Sequence, residues 1–330
     1  MIDKSLIRNG KTINIYVIIT GLIVGVASGL QWLSQYGNKI LSGEARKLEK
    51  DKDVILITGG SLGLGRKISA AYAIEGFQVV NLDIVPPDVQ LPNIHYFNCD
   101  ISSLKDVQAA QKQIVEKVGK VTVLINNAAI VGAGSILDVT EKTVESVLNV
   151  NLVSQFWTIK TFLPDMIELK RGHIVTVSSV IGYFGPAKCS LYSASKAALL
   201  TLHDSLTHEL IGTGVKTLLV TPGQLNSQLF GGVQTPSKFI APILSTAELA
   251  LQITTTINEG KCGQLFAPTY TSLIPFANAV LPVVFMEWLR KVYKVDQAMD
   301  GYSKGNEPTK TTESSKSSKT SKKANNSKDE

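Results

Sequence analysis

Residues 54–66 read Val-Ile-Leu-Ile-Thr-Gly-Gly-Ser-Leu-Gly-Leu-Gly-Arg, and this stretch decides the fold. An apolar run rich in β-branched residues leads into a turn with the spacing T-G-x-x-x-G-x-G, and a helical pattern begins at Gly63. Glycine permits a sharp turn and a close approach of the backbone to a phosphate, and the N-terminus of the next helix favours negative charge. A glycine cluster alone is often only a turn, but one placed between a strand and a helix predicts a pyrophosphate site. Its residues would be Thr58, Gly59, Ser61, Gly63, Leu64 and Gly65.

Beyond this turn, short apolar runs alternate with helical patterns, as in parallel sheets with crossover helices. The predicted fold class is α/β, a doubly wound (Rossmann) parallel sheet over residues 53–267, with an N-terminal transmembrane helix. Strands are predicted at 54–57, 78–82, 94–98, 121–125, 173–177, 216–220 and 264–266, and helices at 63–75, 104–118, 153–169, 191–211 and 246–258.

Asp83 ends the second predicted strand, 18 residues after Gly65. A carboxylate at this place can accept hydrogen bonds from an adenosine ribose and would repel a 2′-phosphate. Neither residues 84–87 nor Leu62 is basic, so the sequence favours NAD as the cofactor and keeps NADP as the alternative. A solvated aspartate at a strand end is the competing interpretation.

Tyr192 and Lys196 are four residues apart on a predicted helix, so they share one face. An ammonium group beside a phenol favours the phenolate, and we expect the pKa of Tyr192 to fall below its ordinary value of about 10. Such a tyrosine can exchange a proton with a hydroxyl group near neutral pH. A Tyr-x-x-x-Lys pair alone is commonly a coincidence, but Ser179 at the end of the preceding strand makes a proton-transfer site the better interpretation.

Residues 53–267 resemble the short-chain dehydrogenase/reductase family, motif by motif. The resemblance implies catalytic roles for Asn151, Ser179, Tyr192 and Lys196: Ser179 would bind the substrate oxygen, Tyr192 would transfer the proton, Lys196 would also hold the ribose, and Asn151 would fix a relay water. Ala129 departs from the glycine that the family has in its N-N-A-G segment. Further cofactor contacts implied by the resemblance are Asp100, Ile101, Asn127, Ala128, Pro222, Gly223 and Ser227, together with Tyr192 and Lys196.

Residues 12–38 carry no charged side chain. Their apolar part, 13–33, would rise roughly 31 Å as a helix, about the thickness of a bilayer's hydrocarbon core. A cleaved signal peptide is the rival interpretation, but the apolar run is longer than such a segment normally uses. More basic residues follow the span than precede it, which places the catalytic part on the cytosolic side.

The flanks resemble those of the membrane-anchored retinol and 17-beta-hydroxysteroid dehydrogenases of the endoplasmic reticulum and lipid droplets. We predict an anchor segment (1–38), a charged linker (39–52), the catalytic domain (53–267), an apolar extension (268–300) and a disordered Lys/Ser-rich tail (301–330). Residues 276–289 within the extension would form a lid or an interfacial segment, or else an apolar wall of the substrate pocket.

Composition excludes several classes of protein. The apolar fraction of 44% excludes global disorder, and three cysteines without a C-x-x-C exclude a disulfide framework and a zinc module. The net charge is +6, but half of it lies in residues 301–330, so no coherent nucleic-acid patch is predicted.

The expected function is hydride transfer, by a membrane-anchored enzyme, between NAD and an apolar lipid such as a sterol, a retinoid or a long-chain alcohol. The alternatives are an NADPH-dependent reductase of a lipid ketone (3-ketoacyl, ketosphingoid or acyl-dihydroxyacetone type) and a non-catalytic membrane adaptor. The expected partners are a lipid-like small molecule and a membrane, and a homodimer stays open.

Overall fold

The described part of the chain is built around one parallel sheet. This computed structural model describes residues 46–88, 91–230, 233 and 242–302, and eight further residues between 21 and 33. The sheet has seven strands in the order β3-β2-β1-β4-β5-β6-β7. The doubly wound parallel sheet predicted from the sequence is therefore confirmed. The strands are β1 Val54–Thr58, β2 Gln78–Asp83, β3 Ile94–Asn98, β4 Val123–Asn126, β5 Gly172–Val177, β6 Val215–Pro222 and β7 Gly263–Ala267.

The described helices include all five that the sequence predicts and three that it does not. The unpredicted α3 has eight residues and buries only Val147, so it is too short to show a helical period. In order, the helices are α1 Gly63–Glu75, α2 Leu104–Lys117, α3 Glu141–Leu148, α4 Ser154–Glu168, α5 Ser190–Glu209, α6 Thr246–Asn258, α7 Leu273–Val280 and α8 Val283–Val292, with a π-helical turn Asn149–Val153 between α3 and α4.

Helices cover both faces of the sheet, because strand side chains alternate between the faces. Ile55 and Ile57 pack in one apolar core with side chains of α1 and α6. Leu56, between them, packs in the other core with side chains of α2, α4 and α5. All five residues of β1 are consequently buried, as expected of a central parallel strand.

The strand order reverses between β1 and β4, which lie side by side. In open parallel sheets, ligands bind in the crevice beyond the carboxyl ends of the strands at such a reversal. The crevice here is bordered by the turns that follow β1 and β4, where the sequence predicts the cofactor site.

The predicted membrane anchor at residues 13–33 lies outside the described residues, apart from eight positions that are helical and exposed. Within the described ranges, no helix combines the length and the apolar character needed to cross a bilayer. The predicted disordered tail also lies outside them, except for its first two residues. Of these, Tyr302 packs beside Cys189 and Tyr192, within the predicted site.

Candidate active site

The turn after β1 and the turn after β4 are tied together by hydrogen bonds. The Thr58 hydroxyl oxygen accepts hydrogen bonds from the backbone N–H groups of Asn127 and Ala128, at 3.0 and 3.1 Å. The Asn127 side-chain amide donates to the carbonyl oxygens of Thr58 and Gly59, at 3.0 and 3.2 Å. A Cβ atom on Gly65 would collide with the Gly59 carbonyl oxygen, so the turn tolerates only glycine there.

The start of α1 fits a bound pyrophosphate. Leu62 precedes the helix and supplies no side-chain cap, and the first turn holds no acidic residue. The first N–H groups of the helix thus remain available to an anion. The Ser61 hydroxyl is buried without a hydrogen-bond partner in the described part of the chain, as expected of a group that contacts a ligand. Gly59 and Gly63 have φ values of +64° and +53°, which glycine adopts at little cost.

Asp83 is half-buried at the end of β2 and is bonded to the glycine turn. One carboxylate oxygen accepts the backbone N–H of Ser61 at 3.0 Å, and the other accepts that of Val85 at 3.1 Å. The structure thus places Asp83 in contact with the turn at which the pyrophosphate would bind, unlike a freely solvated strand-end aspartate.

The other predicted cofactor residues lie along the same edge of the sheet. Asp100 and Ile101 follow β3, and Asp100 accepts hydrogen bonds from both the backbone N–H and the hydroxyl of Ser102. Pro222 ends β6, and the Gly223 N–H donates to the Ala267 carbonyl oxygen at 2.7 Å. Ala128 follows β4, and Ser227 begins the turn that leads to Phe230.

Tyr192 and Lys196 meet on one buried face of α5. The Lys196 Nζ atom lies 5.5 Å from the centre of the Tyr192 ring and donates a hydrogen bond to the Val177 carbonyl oxygen at 2.9 Å. The two residues are 4% and 2% exposed. The shared face inferred from the four-residue spacing is therefore present.

The predicted acidification of Tyr192 by Lys196 is wrong for this structure. Burial raises the pKa of the Tyr192 phenol well above its ordinary value, with a smaller contribution from Cys189. Burial also lowers the pKa of Lys196 to about 7, so its positive charge is itself destabilised. Burial opposes the charged form of both groups, and the ammonium lies over the ring face instead of bonding to the hydroxyl.

Ser179 and Asn151 reach the same region from different elements. The Ser179 hydroxyl follows β5 and donates to the Pro222 carbonyl oxygen at 3.3 Å, which places it beside the predicted nicotinamide turn. Asn151 is fully buried in the π-helical turn, and such turns are frequent at functional sites. Its amide donates to the Ile130 carbonyl oxygen and to the Ser195 hydroxyl, and its oxygen accepts the Ile130 N–H.

These bonds use both amide hydrogens of Asn151, so its side chain holds the loop after β4 against α5. The Ser195 hydroxyl in turn donates to the Tyr192 carbonyl oxygen at 2.7 Å. Sequence reasoning missed Ser195, although its place three residues after Tyr192 was a usable signal. The relay water expected at Asn151 stays a prediction.

Apolar side chains enclose Tyr192, and most of them come from distant parts of the chain. Phe230 packs edge-to-face on the Tyr192 ring at 5.5 Å between ring centres. Cys189 and Met299 are buried in the same cluster, and burial raises the pKa of the Cys189 thiol. The cluster is completed by Ala129, Val131, Ala133, Ile181, Val233 and Tyr302. No local pattern in the sequence signals the presence of Phe230 or Met299.

Polar contacts hold this C-terminal segment on the loop before α5. The Asp296 carboxylate accepts the Ala187 N–H at 3.0 Å and pairs with Arg290. Arg290 also donates to the Gly185 carbonyl oxygen at 2.9 Å, and Lys188 pairs with Asp300 at 2.6 Å. These bonds fix Met299 beside Tyr192.

Known proteins share this sequence pattern. The profile of the family described as short chain dehydrogenase matches residues 53–237. An uncharacterized oxidoreductase of Saccharomyces cerevisiae is 35% identical over 255 residues, which cover 74% of this chain and 80% of that protein. Estradiol 17-beta-dehydrogenase 11 of Pongo abelii is 30% identical over 264 residues, 76% of this chain and 86% of that protein.

Epidermal retinol dehydrogenase 2 of Mus musculus is 31% identical over 244 residues, which cover 70% of this chain and 79% of that protein. The similarity to retinol and 17-beta-hydroxysteroid dehydrogenases inferred from the sequence is thus confirmed. A short-chain dehydrogenase from Streptomyces avermitilis has the same fold, with a TM-score of 0.60 and 24% identity over 74% of this chain and 99% of that chain.

Proposed function

This chain belongs to the short-chain dehydrogenase/reductase family and is an oxidoreductase of that type, and we propose that it interconverts a hydroxyl and a carbonyl group on an apolar lipid with NAD as its cofactor. The observation that carries this proposal is the buried Tyr192–Lys196 pair, in which Lys196 bonds to Val177 at the carboxyl end of β5, two residues before Ser179. The carboxyl edge of the sheet also carries the glycine turn, whose free helix N-terminus fits a dinucleotide.

Each residue of the candidate site has a separate role in the proposed reaction. A nicotinamide bound beside Pro222 and Gly223 would supply or accept the hydride. The Ser179 hydroxyl would donate a hydrogen bond to the substrate oxygen. Tyr192 as phenolate would take the proton from the substrate hydroxyl during oxidation, and as phenol it would give a proton to the carbonyl oxygen during reduction. Lys196 would hold the cofactor ribose, and its amine, when protonated, would favour the phenolate. Asn151 is a positioning residue that acts through Ile130 and Ser195.

NAD is the proposed cofactor because of Asp83. Its carboxylate is fixed to the glycine turn by the Ser61 and Val85 N–H groups, where it can accept hydrogen bonds from ribose hydroxyls. A 2′-phosphate placed there would meet a negative charge at short range.

The apolar surroundings of Tyr192 support a lipid substrate. Apart from Lys196 over the ring, the side chains that pack on Tyr192 include Met299, Cys189 and Phe230, which are apolar. A sterol, a retinoid or a long-chain alcohol would bury apolar surface against these groups, at roughly 25 cal/mol per Å².

We further propose that the protein works at a membrane of the endoplasmic reticulum or a lipid droplet, held as a single-pass protein by residues 13–33, with the catalytic part in the cytosol. The exposed apolar side chains of α7 and α8 support this. No residue of either helix is buried, and Val283 and Val284 are 76% and 80% exposed. Lys291, which is exposed in the last turn of α8, suits anionic headgroups. These features favour the interfacial interpretation of the segment over a pocket wall. A homodimer stays a prediction, which sedimentation analysis of the detergent-solubilised chain would test.

The test of the proposed function is the substitution Tyr192→Phe in the full chain purified in neutral detergent. NADH formation is followed with a panel of sterols, retinoids and long-chain alcohols, and NAD binding is measured by fluorescence titration. We expect turnover to fall by about 100-fold or more while NAD binding is retained, because only the proton-transfer group is removed. Tyr96→Phe, which removes a phenol hydroxyl on β3, is the matched control and should leave turnover unchanged.

Three outcomes would contradict parts of this proposal. Unchanged turnover in Tyr192→Phe would show that Tyr192 does not transfer the proton. A clear preference for NADPH with lipid ketones would favour the rival reductase. Absence of nicotinamide-dependent turnover across the whole panel, in the wild-type chain, would favour the non-catalytic adaptor.

A further inference from the structure

A cavity of ≈ 210 Å³ opens at the amino-terminal edge of the sheet, opposite the edge that carries Tyr192. It lies where β5 and β6 begin, against the linker that precedes β1. Three of its lining residues are cationic and none is acidic. The lining residues are Arg46, Leu48, Lys170, Gly172, His173, Gly214 and Lys216.

His173 lines this cavity with a buried imidazole ring. Its side chain is 3% exposed, and within the described residues its Nε2 atom has no hydrogen-bond partner. The neighbour of His173 across the strand pair is Lys216. Burial, with smaller contributions from the charges of Lys216 and Arg46, lowers the pKa of His173 to about 3. A buried neutral imidazole can donate one hydrogen bond, and leaving a buried donor without an acceptor is costly.

Arg46 shares its two acidic neighbours, Asp53 and Glu49, with Arg171. Within the described part of the chain its Nε atom has no partner, and its guanidinium is 3.7 Å from the Asp53 carboxylate. That carboxylate is already occupied. It accepts two hydrogen bonds from Arg171 at 2.8 and 2.5 Å, one from the Thr122 hydroxyl at 2.8 Å and one from the Glu49 N–H at 2.7 Å. Accordingly, burial and repulsion by Arg171 lower the pKa of Arg46.

The backbone around the cavity is held in place. Gly260 has φ +64°, and a Cβ atom there would collide with the Arg46 backbone, so the linker packs directly on this turn. The Leu48 N–H donates to the Asn258 carbonyl oxygen at 3.3 Å. On the other side, a Cβ atom on Gly214 would lie 2.6 Å from the Lys170 carbonyl oxygen. The backbone segments that carry the cationic side chains are therefore held in place by close packing.

We propose that this cavity binds a phosphate group. A dianionic phosphate would offset the positive charges of Arg46 and Lys170 and accept hydrogen bonds from both side chains. The cavity has the volume of roughly seven waters, at about 30 Å³ each, which suits a phosphate with a small substituent. Binding sites for larger, drug-sized ligands begin at about 300 Å³.

Two sources could supply this chemistry, free phosphate or the phosphate of a lipid headgroup. A lipid headgroup is a candidate source because Arg46 belongs to the linker that follows the uncharged segment 12–38, which contains the proposed membrane anchor. The proposal does not depend on the oxidoreductase function, since none of the lining residues belongs to the active site.

The experiment measures thermal unfolding of the full chain in neutral detergent with three probes: inorganic phosphate, glycerol 3-phosphate and dihexanoyl phosphatidate. Sodium chloride at equal ionic strength is the reference. A ligand that binds only the folded state raises the midpoint of unfolding and gives a dissociation constant from its concentration dependence. Two lining positions are changed: the partly buried Arg46 by Arg46→Gln, and the exposed Lys170 by Lys170→Asn, because asparagine tolerates the φ of 48° found at position 170. Lys105→Gln on α2 removes the same charge elsewhere and is the control.

We expect a phosphate-specific rise that is weakened about tenfold or more by each cavity substitution and is retained in the control. An equal response to all three probes assigns the site to phosphate itself, and a response confined to phosphatidate assigns it to a lipid headgroup; both support the proposal. A rise no larger than that with chloride for every probe, or one that survives both cavity substitutions, overturns it.

Discussion

The buried amine of Lys196 should make the folded state less stable at neutral pH than its packing alone would allow. Burial lowers its pKa from 10.5 to about 7, and the unfolded chain is expected to keep the ordinary value. Below pH 7 the Lys196 amine is protonated in both the folded and the unfolded state. The folded state is then destabilised by the full free energy needed to bury that charge. Between pH 7 and 10.5 the unfolded state binds more protons, so the free energy of unfolding rises with pH by about 1.4 kcal/mol per unit. Above pH 10.5 the cost disappears.

Lys196→Met removes this charge and keeps most of the side-chain volume. At pH 7 the cost removed is on the order of 4 kcal/mol. Against this, the Val177 carbonyl oxygen loses its donor, which costs about 1–3 kcal/mol. We expect the variant without cofactor to be more stable than the wild type by roughly 2 kcal/mol at pH 7, although its turnover is lost.

The assay is urea unfolding of both proteins in neutral detergent at pH 7, 8 and 9. The difference between them should fall by about 2 kcal/mol across this range, because only the wild type gains stability as pH rises. Other titrating groups, such as Cys99 with its pKa raised to about 12 by burial, are common to both proteins and cancel. Lys196→Arg, which cannot lose its proton in this range, should be destabilised at every pH. A difference between wild type and Lys196→Met that is constant from pH 7 to 9 would refute the reasoning.

Three further predictions concern the cofactor turn and the substrate pocket. Asp83→Ser removes the negative charge that would repel a 2′-phosphate. The ratio of kcat/KM with NAD to kcat/KM with NADP should therefore fall by about tenfold or more. An unchanged ratio would show that Asp83 does not determine the choice of cofactor. Gly65→Ala should abolish NAD binding in a fluorescence titration because the added methyl group meets the Gly59 carbonyl oxygen, whereas Gly185→Ala, with its nearest contact at 3.6 Å, should bind NAD normally. Met299→Ala enlarges the pocket beside the Tyr192 phenol and lowers the free energy of unfolding by about 2–5 kcal/mol. The KM for bulkier alcohols should fall, while kcat for small alcohols changes little. If the variant and the wild type have identical KM values for all alcohols tested, Met299 lies outside the pocket.

Local patterns in the sequence were enough for the sheet and for most of the site. The bounds predicted for α1 and α6 agree with the structure, because amphipathic periodicity and flanking turns are encoded within a few residues of each other. The same holds for the glycine turn and for the shared face of Tyr192 and Lys196, which follows from four-residue spacing on a helix.

The tertiary structure decided everything that depends on residues far apart in the chain. It brings Met299 and Phe230 onto Tyr192, and Arg46 beside His173, although no local pattern links these positions. It also reversed the expected direction of the Tyr192 pKa. The sequence shows that a lysine is near the tyrosine, but the loss of hydration that opposes both charges depends on how deeply the surrounding chain buries them. Spacing along one helix therefore determines which groups meet, and burial by distant segments determines their charge.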